Sequence, residues 1–262
     1  MDERARVAET AATAGAEVAI GGFRTEMDVE QKSSKTDVVT TFDKEAQRAV
    51  IGVVQESHAG HAIVGEEEDE LKEIPDSGAC WVIDPIDGTS NFVSGVPLWA
   101  TSVAAVEDGE PVAAANVLPA VEDVYVTDGE SVTLNGAPVS VSDLTDPETF
   151  TVAPTLRWSR AKADRLGELC ADIIADFGDL RRFGSAQVTL SMVAAGQIDA
   201  AVSAEESHPW DTVAGVALIR AAGGTVTDVH GERWTATSEG LVASNGEAHD
   251  ELVATARTAL EG

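Results

Sequence analysis

The sequence has too little of several residue types to be a secreted scaffold, a membrane protein or a nucleic-acid binder. Two cysteines, Cys80 and Cys170, occur among 262 residues. That is too few for a disulfide-stapled fold and in keeping with a reducing cytoplasm. Aromatic residues make up 5% of the chain, with one tyrosine, Tyr125. No apolar run approaches the ~18 residues of a membrane span, and Met1-Asp2-Glu3-Arg4 does not open like a signal peptide. Positive charge is scarcest of all. Seventeen Lys and Arg face 46 Asp and Glu, and the lysines are only Lys32, Lys35, Lys44, Lys72 and Lys162, so the net charge is −29. Such a chain repels phosphate backbones and anionic lipid, which argues against nucleic acid and membrane as partners. Multivalent cations remain.

What is present is a core. Hydrophobic residues make up 44% of the sequence, enough for one large domain or two tightly joined ones. A folded chain of 27.2 kDa exposes roughly 11,000 Å². Self-repulsion over that surface opposes compaction, and ~1 M salt, with a Debye length of ~3 Å, removes most of it. An acidic, lysine-poor, Ala- and Val-rich composition points to a molar-salt cytoplasm, as in an extreme halophile. An ordinary acidic mesophilic protein is the plainer alternative.

Apolar spacing predicts helices over 2–22 and 41–57, the second behind Thr40 or Thr41 as cap. Short apolar runs at 62–64 and 80–83 read as strands that lead straight into carboxylates. From 101 to 141, Val-rich segments separated by Asp108-Gly109, Asp128-Gly129 and Asn135-Gly136 predict an antiparallel meander. Beyond a strand at 149–155 the elements alternate: helix 159–177, strand 180–183, helix 185–195, strand 198–204, helix 210–222. Strands at 225–229 and 241–244 and a helix at 247–260 close the chain. A meander combined with alternation predicts a layered α+β or α/β protein.

Three acidic clusters stand out: Gly65-Glu66-Glu67-Glu68, Asp84-Pro85-Ile86-Asp87-Gly88-Thr89-Ser90-Asn91-Phe92, and Trp210-Asp211-Thr212-Val213-Ala214-Gly215. In so acidic a chain the first alone reads as a solvated charge run. The second differs, because two Asp three apart follow the apolar Trp81-Val82-Ile83, where bare carboxylates are costly to desolvate. A divalent cation compensates them, and hard oxygen donors select Mg²⁺, Mn²⁺ or Ca²⁺ over Zn²⁺. The spacing does not fit an EF-hand. Gly88-Thr89 reads as a helix start whose N–H groups face an anion. Asp-Pro and Asp-Gly turns are common surface punctuation, but not as a nonapeptide after a buried strand.

With these motifs the chain resembles the inositol monophosphatase family of Mg²⁺-dependent, lithium-sensitive sugar phosphatases, over essentially its whole length. Lys32-Ser33-Ser34 with Asp37 to Asp43 looks like the family's early mobile loop, and Ile63 to Glu67 like its Gly-Glu-Glu motif. Trp81 to Phe92 looks like its central signature. Trp210-Asp211 with Ala214-Gly215 and Ala222-Gly223-Gly224 looks like its C-terminal one. The resemblance implies an α-β-α-β-α layered sandwich of the fructose-bisphosphatase and inositol-monophosphatase kind. It implies one phosphatase unit over 1–262, with an N-terminal α+β part (1–145) holding the metal motifs and a C-terminal α/β part (146–262).

The resemblance also implies roles. Glu66, Asp84, the Ile86 carbonyl and Thr89 surround a first Mg²⁺; Asp84, Asp87 and Asp211 hold a second; Glu66 and Glu67 serve a weaker third. Asp43 pairs with the Thr89 hydroxyl, and these two with Glu66 activate the attacking water. Asp87 and the Gly88 and Thr89 amides contact substrate, as does the sugar-binding turn Gly184-Ser185-Ala186. The chain departs from inositol-specific relatives seven residues before Asp211, where Ala204 stands and Glu205 or Glu206 follows. Glu205 is the sugar-binding candidate. Fructose 1,6-bisphosphate is the alternative substrate, its second phosphate needing Arg157, Arg160, Arg181 or Arg182. A catalytically silent metal-binding scaffold is the remote one. His208 is read as structural or as part of the site's rim. The resemblance further implies a cytoplasmic homodimer, with the meander at 101–141 as a possible contact surface.

The charge makes a measurable claim. The melting temperature should rise as KCl goes from ~0.1 to ~3 M, because the Debye length shortens below the spacing of surface charges. A flat or falling melting temperature would sink the high-salt reading.

Overall fold

The computed structural model describes residues 2–26, 29–31, 38–155 and 160–261. Lys32-Ser33-Ser34, Asp37 and Arg157 lie outside the described residues. Two sheets carry the fold. The seven-stranded one runs in the order β3 (Ala62–Gly65), β4 (Ala79–Asp87), β5 (Ala100–Glu107), β6 (Glu110–Leu118), β7 (Asp123–Thr127), β8 (Val132–Leu134), β9 (Ala137–Val139). Its β3–β4 pair is parallel, and the rest is the antiparallel meander that the turn signals predict. The five-stranded sheet has the order β11 (Asp179–Leu180), β10 (Thr151–Pro154), β12 (Ala200–Ser203), β14 (Leu241–Ser244), β13 (Thr225–Thr227).

Side-chain alternation explains the layering. On β4, Trp81 and Ile83 join one core while Cys80 and Val82 join another. Adjacent strand residues face opposite ways, so apolar residues at every position mean both faces are covered. One face packs under α1 (Glu3–Gly22) and α2 (Thr41–Ser57). The other packs on α5 (Ala186–Ala194) and α6 (Pro209–Ala221), which the five-stranded sheet covers in turn through Ala153, Ala201 and Ala243. That sheet's far face, with Val152, Val202 and Val242, lies under α4 (Ala163–Asp176) and α7 (His249–Glu261). The result is the expected α-β-α-β-α sandwich. From β5 to β7 most of the meander is therefore buried within the chain, while β8 and β9 are its more open part.

Small residues set the layer spacing. A Cβ on Gly15 of α1 would lie 2.7 Å from Val50 of α2. A Cβ on Gly215 of α6 would lie 2.4 Å from the Leu190 Cβ of α5. Alanine at either position brings interior overlap along with its helix propensity.

Several local expectations shift. The strand expected at 80–83 continues to Asp87, passing Pro85 through a bulge in which Asp84 pairs with Ser102 and Asp87 with Ala100. Proline lacks the N–H a regular ladder needs, so the extra residue falls there. The strand expected at 180–183 is only Asp179–Leu180, an edge pair beside β10. The helix expected from 159 opens as a 3₁₀ turn over Arg160–Lys162. A small antiparallel pair, β1 (Val29–Gln31) with β2 (Val38–Thr40), is an addition. Both cysteines are free. Among the described residues no helix is long and apolar enough to cross a membrane.

The contact at Gly215 yields a prediction. Gly215→Ala gains about 1 kcal/mol in helix propensity but overpacks the α5–α6 contact at a cost of about 1–3 kcal/mol. The net cost, up to about 2 kcal/mol, should lower its melting temperature by up to about 8 °C. A value at or above wild type would mean that the two helices separate at little cost.

Candidate active site

The site begins where β4 bends. The bulge turns Asp84 and Asp87 toward the start of α6, and their carboxylate oxygens come within 4.8 Å of one another and of Asp211. Asp84 and Asp87 are buried, and Asp211 is partly so. Asp87 accepts from the main chain that opens α5: Gln187 N at 2.6 Å, Ala186 N at 3.3 Å, and the Ser185 hydroxyl. Burial pushes the Asp87 carboxyl above the usual carboxylate range, the nearby Glu66 charge adds to the rise, and these donors pull it back. Asp211 is the third residue of α6, and its Oδ2 accepts from His208 N at 3.2 Å as half of a capping box. The His208 ring stacks on Trp210 with centroids 4.6 Å apart, in a structural position.

A second constellation sits beside it. Asp43, fully buried as the third residue of α2, accepts from Thr40 N at 2.8 Å and Thr40 Oγ1 at 2.6 Å. Its other oxygen lies 3.4 Å from Thr89 Oγ1, which also donates to the Ile86 carbonyl at 3.0 Å. Burial first, and then the Glu66 and Glu67 charges, push the Asp43 carboxyl up to about 6 against those hydrogen bonds. Thr89 opens the one-turn helix α3 (Thr89–Val93) behind Gly88. Gly88 has φ +91°, and a Cβ there would meet Ser185 Cβ at 2.9 Å. The chain can therefore turn here, and bring the helix starts of α3 and α5 together, only with glycine.

Two further residues hold the Glu66-Glu67 loop. The buried Gln47 brackets Glu67, its Oε1 accepting from Glu67 N at 2.9 Å and its Nε2 donating to Glu67 O at 2.7 Å. Lys72 Nζ donates to the carbonyls of Gly65, Glu66 and Glu68 at 2.8, 3.1 and 3.2 Å, and stands 5.6 Å from the Trp210 ring centroid. Sequence reasoning missed both. Gln47 had a readable signal: with Asp43, Ala46, Val50 and Val54 it falls on the buried stripe of α2. Lys72, in an irregular segment, had none.

The sequence and the fold have relatives. The sequence matches the family model of the inositol monophosphatase family over residues 1–261. The chain belongs to the inositol monophosphatase family. It is 34% identical over 227 residues to the fructose-1,6-bisphosphatase/inositol-1-monophosphatase of Thermotoga maritima, covering 86% of this chain and 85% of the relative. It is 32% identical over 236 residues to the Nus factor SuhB of Escherichia coli K12, covering 89% and 87%. The structure superposes on a Thermotoga maritima IMPase with a TM-score of 0.85 at 31% identity, covering 98% and 96%. Membership makes this phosphatase a phosphomonoester hydrolase.

Not every residue singled out from sequence faces the acidic cluster. In the turn 184–186 the Ser185 hydroxyl and the Ala186 N–H are directed at Asp87, and only Gly184 is exposed. Glu205 forms an ion pair with Lys162. Arg181 pairs with Asp179 and is exposed, as is Arg182. Nothing is described of the Arg160 side chain.

The raised Asp43 carboxyl has a pH signature. Between the ordinary 3.8 and about 6 the folded chain holds a proton that the unfolded chain has released. That stabilising term is complete below the window and is lost as pH rises through about 6. In chelator-treated protein, Asp43→Asn should gain on wild type from about pH 5 to about pH 7.5, by about 1–1.5 kcal/mol. A melting-temperature difference that stays constant over that range would contradict the buried, proton-binding carboxyl.

Proposed function

We propose that this phosphatase is a Mg²⁺-dependent hydrolase of sugar or polyol phosphomonoesters of the inositol 1-phosphate type. The observation that carries the reading is the convergence of Asp84, Asp87 and Asp211, from segments far apart in sequence, onto one point. Three carboxylates so close repel one another unless a cation joins them, and all-oxygen donors suit Mg²⁺. Asp84, Asp87 and Asp211 are the donors for one ion. Glu66, Asp84, the Ile86 carbonyl and Thr89 are those for another, and Glu67 with Glu66 for a weaker third. When bound, Mg²⁺ supplies charge neutralisation for the phosphate and a more acidic water.

The chain's own residues do the rest. Thr89 Oγ1 orients the attacking water, and Asp43, within reach of that hydroxyl, draws its proton. The Gly88 and Thr89 amides precede any acceptor within α3, so they face phosphate oxygens. Gly184 lines the sugar side of the site with Ser185 and Ala186, while Asp87 holds that turn in place. Glu205, pinned by Lys162, is the acceptor for a sugar hydroxyl. Residues 1–145 and 146–262 work as one unit, because the second part supplies Asp211 and the donors to Asp87. A cytoplasmic homodimer is in keeping with the two free cysteines and this family.

Fructose 1,6-bisphosphate is the second reading, favoured by the Thermotoga maritima relative that bears both names. Arg181 or Arg182 would have to meet its second phosphate. A silent scaffold is disfavoured, since every matched metal position keeps its carboxylate in the sequence.

Asp211→Asn separates this reading from a purely structural one. Asparagine caps a helix about as well as aspartate, so the fold should persist. Phosphate release should fall by at least ~100-fold, and calorimetry should count one Mg²⁺ fewer. Assays in molar KCl should use inositol 1-phosphate, fructose 1,6-bisphosphate, 2′-AMP and 3′-phosphoadenosine 5′-phosphate. Unchanged turnover and stoichiometry would leave Asp211 a helix cap and nothing more.

A further inference from the structure

We propose that Gln187 is the positioning residue that sets the helix turn carrying Asp211 against the carboxylate of Asp87. This rests on the metal reading of the Asp84–Asp87–Asp211 cluster. Gln187 is the second residue of α5 and is fully buried. Its main-chain N–H donates to Asp87 Oδ2 at 2.6 Å. Its side chain reaches α6, where Nε2 donates to the Trp210 carbonyl at 2.7 Å and Oε1 accepts from Gly215 N at 2.9 Å. Trp210 precedes Asp211, and Gly215 lies one helical turn beyond it. One residue therefore grips Asp87 with its backbone and brackets Asp211 with its side chain.

The chemistry of the two partners selects an amide. A carbonyl needs a donor and an N–H needs an acceptor, and a neutral amide offers both from one side-chain end. An ionised glutamate would set a second acceptor against the Trp210 carbonyl, and a methionine would satisfy neither group. No water replaces the lost bonds in a buried contact, so removing them takes away the polar tie between α5 and the first turns of α6. The grip also depends on Gly215, whose missing side chain lets α6 approach α5 this closely. From β6, Asn116 Nδ2 donates to the same Oε1 at 3.0 Å, to Ser191 Oγ at 2.9 Å and to the Gln187 carbonyl at 3.5 Å, bonds that tie α5 to the sheet and touch no part of α6. It is the internal control.

Partners that orient metal-binding side chains typically contribute 10–100-fold in metal affinity. Gln187→Met should thus weaken Mg²⁺ binding by at least ~10-fold in calorimetric titration of the folded protein, well below its melting temperature. It should also lower kcat more than it changes KM. Asn116→Ala, which loses its bond to Oε1, should lower the melting temperature and leave the Mg²⁺ isotherm as in wild type. Should Gln187→Met fail to fold, the near-isosteric Gln187→Glu carries the same expectation. A folded Gln187 variant with the wild-type isotherm overturns the positioning role and leaves the metal reading intact. An equal loss of affinity in Asn116→Ala also overturns it, because general loosening then suffices. A wild-type chain that takes up no Mg²⁺ overturns the metal reading and the positioning role together.

Discussion

Taking a carboxylate out of water costs several kcal/mol unless donors or a cation surround it. Asp87 is taken out of water at the end of a strand covered on both faces, and like charges lie close by. Much of the architecture answers that cost. The bulge at Pro85 aims the side chain, the start of α5 supplies Ser185, Ala186 and Gln187 as donors, and Gly88 lets that start approach. With α5 held on Asp87, the tight α5–α6 contact carries Asp211 to the same place.

Two acids of the proposed machinery are also structural caps. Asp43 and Asp211 each occupy the third position of a helix and accept from the cap residue's N–H. The positive end of a helix dipole favours their ionised forms, while burial at Asp43 opposes it more strongly. One oxygen of Asp43 secures α2 and the other remains in reach of Thr89. Stability and chemistry are thus shared between the two oxygens of one carboxylate, so a capping residue can also be a reacting one.

The acidic surface and the acidic site are separate matters. Net charge of −29 bears on salt dependence through exposed groups spaced widely enough to be screened. The site's carboxylates are buried and crowded, where bulk salt screens poorly and a bound cation is the proposed compensation. Lys72 is placed accordingly, in a chain with so few lysines. It ties three carbonyls of the Glu66-Glu67 loop together and stands over Trp210, beside the start of α6.

Patterns within one element were legible in the sequence alone. The apolar stripes of α1 and α2, the meander with its Asp-Gly and Asn-Gly turns, and the later alternation follow from side-chain periods of 3.6 and 2. So did the acidic motifs and the family resemblance they carry. The resemblance also brought Asp211 to Asp84 and Asp87, and Asp43 to Thr89; hidden from the residue pattern itself were the other meetings of distant segments. Asp-Pro-Ile-Asp does not reveal that its second carboxylate faces the start of α5, nor does the turn at 184–186 reveal that Ser185 and Ala186 hold Asp87. Nor could Gln187, one of several polar residues in the short α5, show that it reaches both Asp87 and the helix of Asp211. Local spacing encodes which face of an element is apolar. The packing of layers, set here by glycines that admit close approach, decides which polar groups must then satisfy one another.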